Sequence, residues 1–223
     1  RGERRCHART LVAMMAPMGE RQQFRGRIAG VGSTSGIRVV VGWWQESPYG
    51  TFADAMVERA DGHRMLLAPT EPVADLVSTT YTFDEVRVEP VAVTDQVRPG
   101  RWEFTSPSLT LTLEVGARMP LGHLLRLVPA AVSASPAFAT AVDPVARVVL
   151  RGVRTRGQAR AGRREYYGAR DMHAVTSVRG VLDGIPLGDL GPVDPPCRFG
   201  FSSTPRAPSV TDVVTTIGHV SGS

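Results

Sequence analysis

The chain has 223 residues, 42% hydrophobic and 21% charged, with a net charge of +5 and two cysteines, Cys6 and Cys197. That is enough sequence for one good-sized core. It excludes general disorder, and two distant cysteines exclude a disulfide framework or a zinc knuckle. All 26 basic residues are arginine, which excludes Schiff-base, P-loop-lysine and amine-nucleophile chemistry and reads mainly as GC-rich coding.

Residues 1–23 lack hydrophobic periodicity and read as a disordered N-terminal arm. They begin with Arg1, while Met14, Met15 and Met18 each suit a translation start, so part of the arm reads as an upstream extension. Its short apolar run contains Pro17 and leads to no small-residue cleavage site, unlike a signal peptide. Residues 24–217 read as a single β-rich domain, with 218–223 as a tail.

The first motif is Ala29–Trp44, "AGVGSTSGIRVVVGWW", a G-x-G-x-x-x-G run through Gly30, Gly32 and Gly36. A phosphate-cradling glycine loop must open a helix, because the helix N-terminus supplies the N–H groups and the dipole. After Gly36 come Ile37, Val39, Val40, Val41, Trp43 and Trp44, and these β-branched and aromatic residues favour a strand. The segment therefore reads as strand, turn, strand. A nucleophile elbow also fails, since Thr34 stands where the serine would be.

Next come "WWQESPYGTFAD" and a hairpin through Asp61–Gly62, a dipeptide suited to positive φ. Trp43 and Trp44 point to opposite faces, so only one serves a given interior. Asp54 falls in register with Phe52 and Met56. An acid on such a face is either a strand end or a buried carboxyl with a shifted pKa, which Arg38, Arg64 or Arg87 could neutralise. "TEPVADLVSTTYTF" reads as a short helix with Thr70 as N-cap and Pro72 in the first turn. "SLTLTLEVG" alternates strictly, with Leu109, Leu111, Leu113 and Val115 on one face, as in a sheet with one wet side.

A helical insert is expected at about 119–152, cut by Pro129, Pro136 and Pro144. Its longest uncharged run, Leu127–Val142, is too short to span a membrane. Arg147, Arg151 and Arg154 fall on one helical stripe and form a candidate anion site. The segment 143–170 holds eight arginines against two acids. No RNP, KH, helix-turn-helix or zinc-finger pattern accompanies it, so nucleic acid is not an expected partner. Strands resume with "REYYGARDMHAVTSVRGVL". Here Asp171 and His173, two apart, share a face with Tyr167 and Ala169 if the strand is regular, the start of a general-base pair. Five histidines occur, none at metal-ligand spacing, so no metal or cofactor is expected.

About ten strands with few helices favour a single antiparallel barrel, closed or nearly closed, over a two-sheet β-sandwich. "SPYGTFADAMVE" and "VDPPCRFGFSSTP" resemble a group of uncharacterised proteins of GC-rich actinobacteria over most of 24–217, a resemblance that implies no activity. "SPYGTF" also resembles, loosely, a run in acetoacetate decarboxylase-like barrels. That family's chemistry requires a Schiff-base lysine, which this chain lacks, so the resemblance implies at most a shared barrel.

The leading expectation is a cytoplasmic β-barrel protein binding a small apolar or acidic molecule inside the barrel. Its ligand-binding candidates are Trp43, Glu46, Tyr49, Asp54, Tyr81 and Tyr167. The alternatives are a lysine-independent lyase, isomerase or hydrolase using Asp171 and His173, and an RNA- or phosphate-binding module through 147–164.

Overall fold

The structure is a computed structural model, which describes residues 22–95, 100–128, 156–158, 163–200 and 203–219. Chain order runs β1 (Gln22–Ser33), β2 (Arg38–Glu46), β3 (Phe52–Glu58), β4 (Arg64–Ala68), α1 (Glu71–Thr80), β5 (Glu85–Val88), β6 (Ala92–Asp95), β7 (Arg101–Thr105) and β8 (Leu109–Arg118). Beyond these lie α2 (Pro120–Leu125), β9 (Arg156–Gln158), β10 (Arg163–Leu182), β11 (Ile185–Pro186), β12 (Leu190–Gly191) and β13 (Ser209–His219). The expected arm lies outside the described residues up to residue 21, as does most of the expected insert, including Arg147, Arg151 and Arg154.

The glycine run of Ala29–Trp44 is strand, turn, strand. Gly36 takes φ +80 in the turn, and its N–H donates to Ser33 O at 3.0 Å. Gly30 and Gly32 have another use. A Cβ on Gly30 would meet Thr204 Oγ1 at 2.3 Å, and one on Gly32 would meet Pro192 O at 2.0 Å. Pro192 and Thr204 therefore press close against β1, and β12 pairs there through Gly32 and Gly191. Gly30 makes room for a side chain and Gly32 for backbone, rather than for phosphate. Gly62 (φ +89) closes the β3–β4 hairpin at the expected Asp61–Gly62 turn. Asp183 and Gly184, both at positive φ, close the β10–β11 hairpin.

The strands form one sheet whose main path is β5-β4-β3-β2-β1-β13-β10-β8-β7-β6, with β9, β11 and β12 attached at its margins. All pairs are antiparallel except β4 with β5. That parallel pair arises from α1, which carries the chain over the sheet between them as a crossover helix. The fold is mostly β, as expected, and the sheet curls into a half-barrel that stays open. Its end strands β5 and β6 do not pair with each other.

The curl is recorded in the core. Val39, Val41, Ala55 and Met65 of β2–β4 share one buried cluster with Trp102 of β7 and Leu111 of β8, although β1, β13 and β10 separate them in the sheet. Trp43 of β2 meets Trp102 edge-on, with ring centroids 5.4 Å apart. An apolar cluster thus lies on the concave face. The opposite face of β1–β4 is covered by α1, which buries Val73, Ala74 and Leu76, and by the 193–199 segment with Val193, Cys197 and Phe199.

Candidate functional site

Asp54 stands on that second face, directly across from Gly42 of β2. Period-two alternation puts it in line with Phe52, Met56 and Glu58, under α1 rather than in the concave core. Its carboxyl is 4% exposed. Trp44 Nε1 donates to Asp54 Oδ1 at 3.1 Å. A Cβ on Gly42 would lie 2.7 Å from both of those atoms, so the absent side chain leaves room for this hydrogen bond. Burial pushes the Asp54 carboxyl up to about 7, against the smaller opposing effect of the Trp44 hydrogen bond. The acid is poised between its neutral and charged forms near neutral pH.

The three arginines that could neutralise it are engaged elsewhere. Arg38 Nη2 lies 3.0 Å from Glu58 Oε1. Arg64 forks onto Asp84, and Arg87 bridges Glu85 and Asp183. Among the described residues, Trp44 alone donates a hydrogen bond to Asp54.

Asp54 borders a cavity of about 60 Å³. Phe24 and Ile28 of β1 form one wall, Leu76, Val77 and Thr80 of α1 the roof, and Thr215 and Ile217 of β13 the far side. Tyr81, just past the end of α1, and Tyr167 of β10 both line it, and their hydroxyls are in hydrogen-bond contact with each other. The Thr215 hydroxyl is buried and, among the described residues, has no hydrogen-bond partner. The chamber is therefore apolar apart from a few polar atoms, the usual make-up of a small-molecule site.

Three of the sequence candidates, Asp54, Tyr81 and Tyr167, line this one cavity, and Trp44 lines it in place of the expected Trp43. The others are elsewhere. Trp43 is on the concave face against Trp102, with the Arg27 guanidinium 5.9 Å from its ring centre. Glu46 is exposed, 3.7 Å from Arg25 Nε. Tyr49 is exposed beside the chamber and stacks on Phe24, at 6.4 Å between ring centres.

Asp171 and His173 form a separate group, because β10 is not regular. Ala169 pairs with Val213, whereas Asp171 pairs with the adjacent Asp212. The extra residue, Arg170, is a β-bulge, and a bulge changes which face later side chains occupy. Tyr167 and Ala169 consequently lie on the α1 face, and Asp171 and His173 on the concave face, instead of all four together. Arg118 Nε donates to both Asp171 oxygens, at 2.8 and 3.0 Å, and the Met172 N–H donates to Oδ1 at 2.8 Å. Burial raises the Asp171 carboxyl, but these hydrogen bonds outweigh it and hold the carboxyl below its ordinary value. His173 borders a cleft of about 370 Å³ with Arg27, Trp102 and Asp212. Among the described residues no hydrogen bond joins its ring to Asp171. His63, beside the β3–β4 turn, contacts Glu85 at 3.1 Å.

Gly42, Thr215 and, in place of Trp43, Trp44 are site residues that sequence reasoning missed. The glycine had a signal, since it interrupts a run of valines and tryptophans where only close approach favours a missing side chain. The threonine had none. Among the described residues no group of three or more His, Cys, Asp or Glu could hold a metal ion, and no described helix is long and apolar enough to cross a membrane. No known family model and no curated protein matches the chain.

Proposed function

We propose that the protein binds a small, mostly apolar molecule in the chamber beneath α1, through one polar group that meets Asp54. The observation that carries this reading is a carboxyl buried, among the described residues, with no arginine partner, facing a cavity whose other wall holds a Thr215 hydroxyl also without a partner among them. Two polar groups left short of partners in an apolar chamber are costly unless something else supplies the missing bonds. The ligand in this reading sits on the outer side of the half-barrel, beneath α1, where Asp54 faces the cavity. A cavity of about 150 Å³ holds a benzene ring, so 60 Å³ encloses about two or three non-hydrogen atoms and any longer tail lies in the mouth. A cytoplasmic setting belongs to the same proposal. Cys197 is a free, buried thiol, pushed up to about 12 first by burial and then by the charge of Glu58, which supports that setting.

Native mass spectrometry of gently purified protein tests the reading, together with thermal melting against a panel of small polar-headed aliphatic molecules. A retained mass, or a melting temperature raised by one panel member in wild type but not in Asp54→Asn, is the expected result. No retained mass and no shift with any member would overturn it.

A further inference from the structure

We infer that the ligand group meeting Asp54 is a protonated amine, the ammonium head of a small alkylamine. This rests on the chamber being a small-molecule site and adds the charge of its occupant. A neutral ligand would need only an amide or a hydroxyl at position 54. Either gives a hydrogen bond without the desolvation that an ionisable group brings. A carboxyl in an apolar chamber is of use through its charge, and the arginines that could answer that charge are held by Glu58, Asp84, Glu85 and Asp183. A cation entering the chamber would supply the missing partner.

The remaining polar atoms agree. Ionised Asp54 offers only acceptors, and the unpartnered Thr215 Oγ1 has lone pairs to accept an N–H. A ligand carboxylate would instead bring like charge against Asp54. Aromatic rings make up much of the wall. Phe24 and Trp44 meet edge to face at 5.8 Å, Trp44 and Phe52 lie 6.4 Å apart, and Tyr81 and Tyr167 close the far end. Such rings attract an ammonium ion through their quadrupoles. The enclosed volume fits a nitrogen with one or two carbons.

Binding of a cation requires Asp54 to ionise, so each ammonium bound releases the proton that Asp54 carries. The other titratable groups facing the chamber from the described elements are Tyr81 and Tyr167; β1, β2, α1 and β13 contribute none. With Asp54 titrating near 7, its ionised fraction rises about tenfold between pH 6 and pH 8, and the apparent affinity rises with it.

The test uses the full chain and the indole N–H signal of Trp44, one of three tryptophans, assigned by its loss in Trp44→Phe. Millimolar n-propylammonium, n-propanol and propionate are titrated at pH 6 and pH 8. The expected result is saturable movement of the Trp44 signal by n-propylammonium, about tenfold tighter at pH 8 and abolished in Asp54→Asn. Thr215→Val, nearly isosteric, keeps the fold and weakens binding several-fold. Preference for n-propanol or propionate overturns the ammonium assignment while leaving a small-molecule site standing. So does unchanged affinity in either variant. No response to any of the three at either pH, joined to the absence of a retained mass, overturns both readings.

Discussion

Asp54 and Glu58 stand four residues apart on one face of β3, and both carboxyls are buried. Their surroundings are opposite. Glu58 has Arg38 at 3.0 Å across the strand pair, the Arg198 Nε at 3.1 Å and the Arg198 backbone N–H at 2.7 Å. Asp54 has one indole N–H and a cavity. Burial alone therefore marks neither residue as functional. The Glu58 end of the strand is internally satisfied, and it ties the 197–199 segment to the sheet. Among the described residues the Asp54 end lacks a counter-charge, and that missing partner separates a site from a structural ion pair.

The largest effect that sharpens this contrast is at Glu58. Glu58→Gln leaves Arg38, itself 5% exposed, as a buried charge without a carboxylate. Removing one member of a buried pair costs about 3–5 kcal/mol. Urea denaturation at pH 7 should show a loss of that size, and a loss below about 1 kcal/mol would mean that the two acids are not different in kind.

Asp54→Asn should act with the opposite sign. The folded-state carboxyl titrates near 7, well above its unfolded value, so between these two values the native state binds the extra proton. Stability is then full at acid pH and is lost as pH rises through the folded value. The asparagine has no such titration. At pH 8 it should be more stable than wild type by about 2–4 kcal/mol, the order implied by a shift of this size, and near pH 4 the two should melt alike. Parallel melting curves from pH 4 to pH 8 would break the comparison, because Asp54 would then be as well compensated as Glu58.

A third effect concerns how the second face is covered. Gly30→Ala places a Cβ against the Thr204 side chain, where 2.3 Å is available. Overpacking of this kind costs about 1–3 kcal/mol. Equilibrium unfolding should show that loss, while Gly184→Ala, which has positive φ but open space around its Cβ, should cost about 1 kcal/mol from backbone strain alone.

Much of the fold was legible in the residues. Leu109, Leu111 and Leu113 alternate with exposed Thr110 and Glu114 because β8 has one wet face, and such a strand records its own period. The turns at Asp61–Gly62 and Asp183–Gly184 were legible because positive φ restricts the residue types there. The parallel placing of β5 was not, since the crossover rests on where α1 docks. Pairing of β1 with β13, close to two hundred residues apart, leaves no local mark. The site was half legible. Asp54, Tyr81 and Tyr167 were singled out, but Trp43 was chosen where Trp44 faces the chamber, and Tyr167 was grouped with Asp171 and His173. The bulge at Arg170 separates them, and one inserted residue reverses facing without changing any local propensity. That Asp54 lacks an arginine could not be read from the sequence either, because Arg38 stands across from Glu58 only by virtue of strand register.

The smallest effect isolates the far wall of the chamber from its acid. Thr215 is 1% exposed, and its hydroxyl has no partner, so folding strips that group of water and returns nothing. Thr215→Val keeps the shape and replaces the hydroxyl with a methyl group. Leaving a buried polar group unsatisfied costs about 1–3 kcal/mol, and an apolar replacement of the same shape recovers part of this. The variant should therefore be more stable than wild type by about 1 kcal/mol at every pH, with no change in the pH dependence set by Asp54. Denaturation at pH 5 and pH 8 checks both statements. A loss of stability would mean that the hydroxyl is satisfied in the folded protein. The chamber would then present Asp54 as its single group short of a partner, and the contrast with Glu58 would rest on the acid alone.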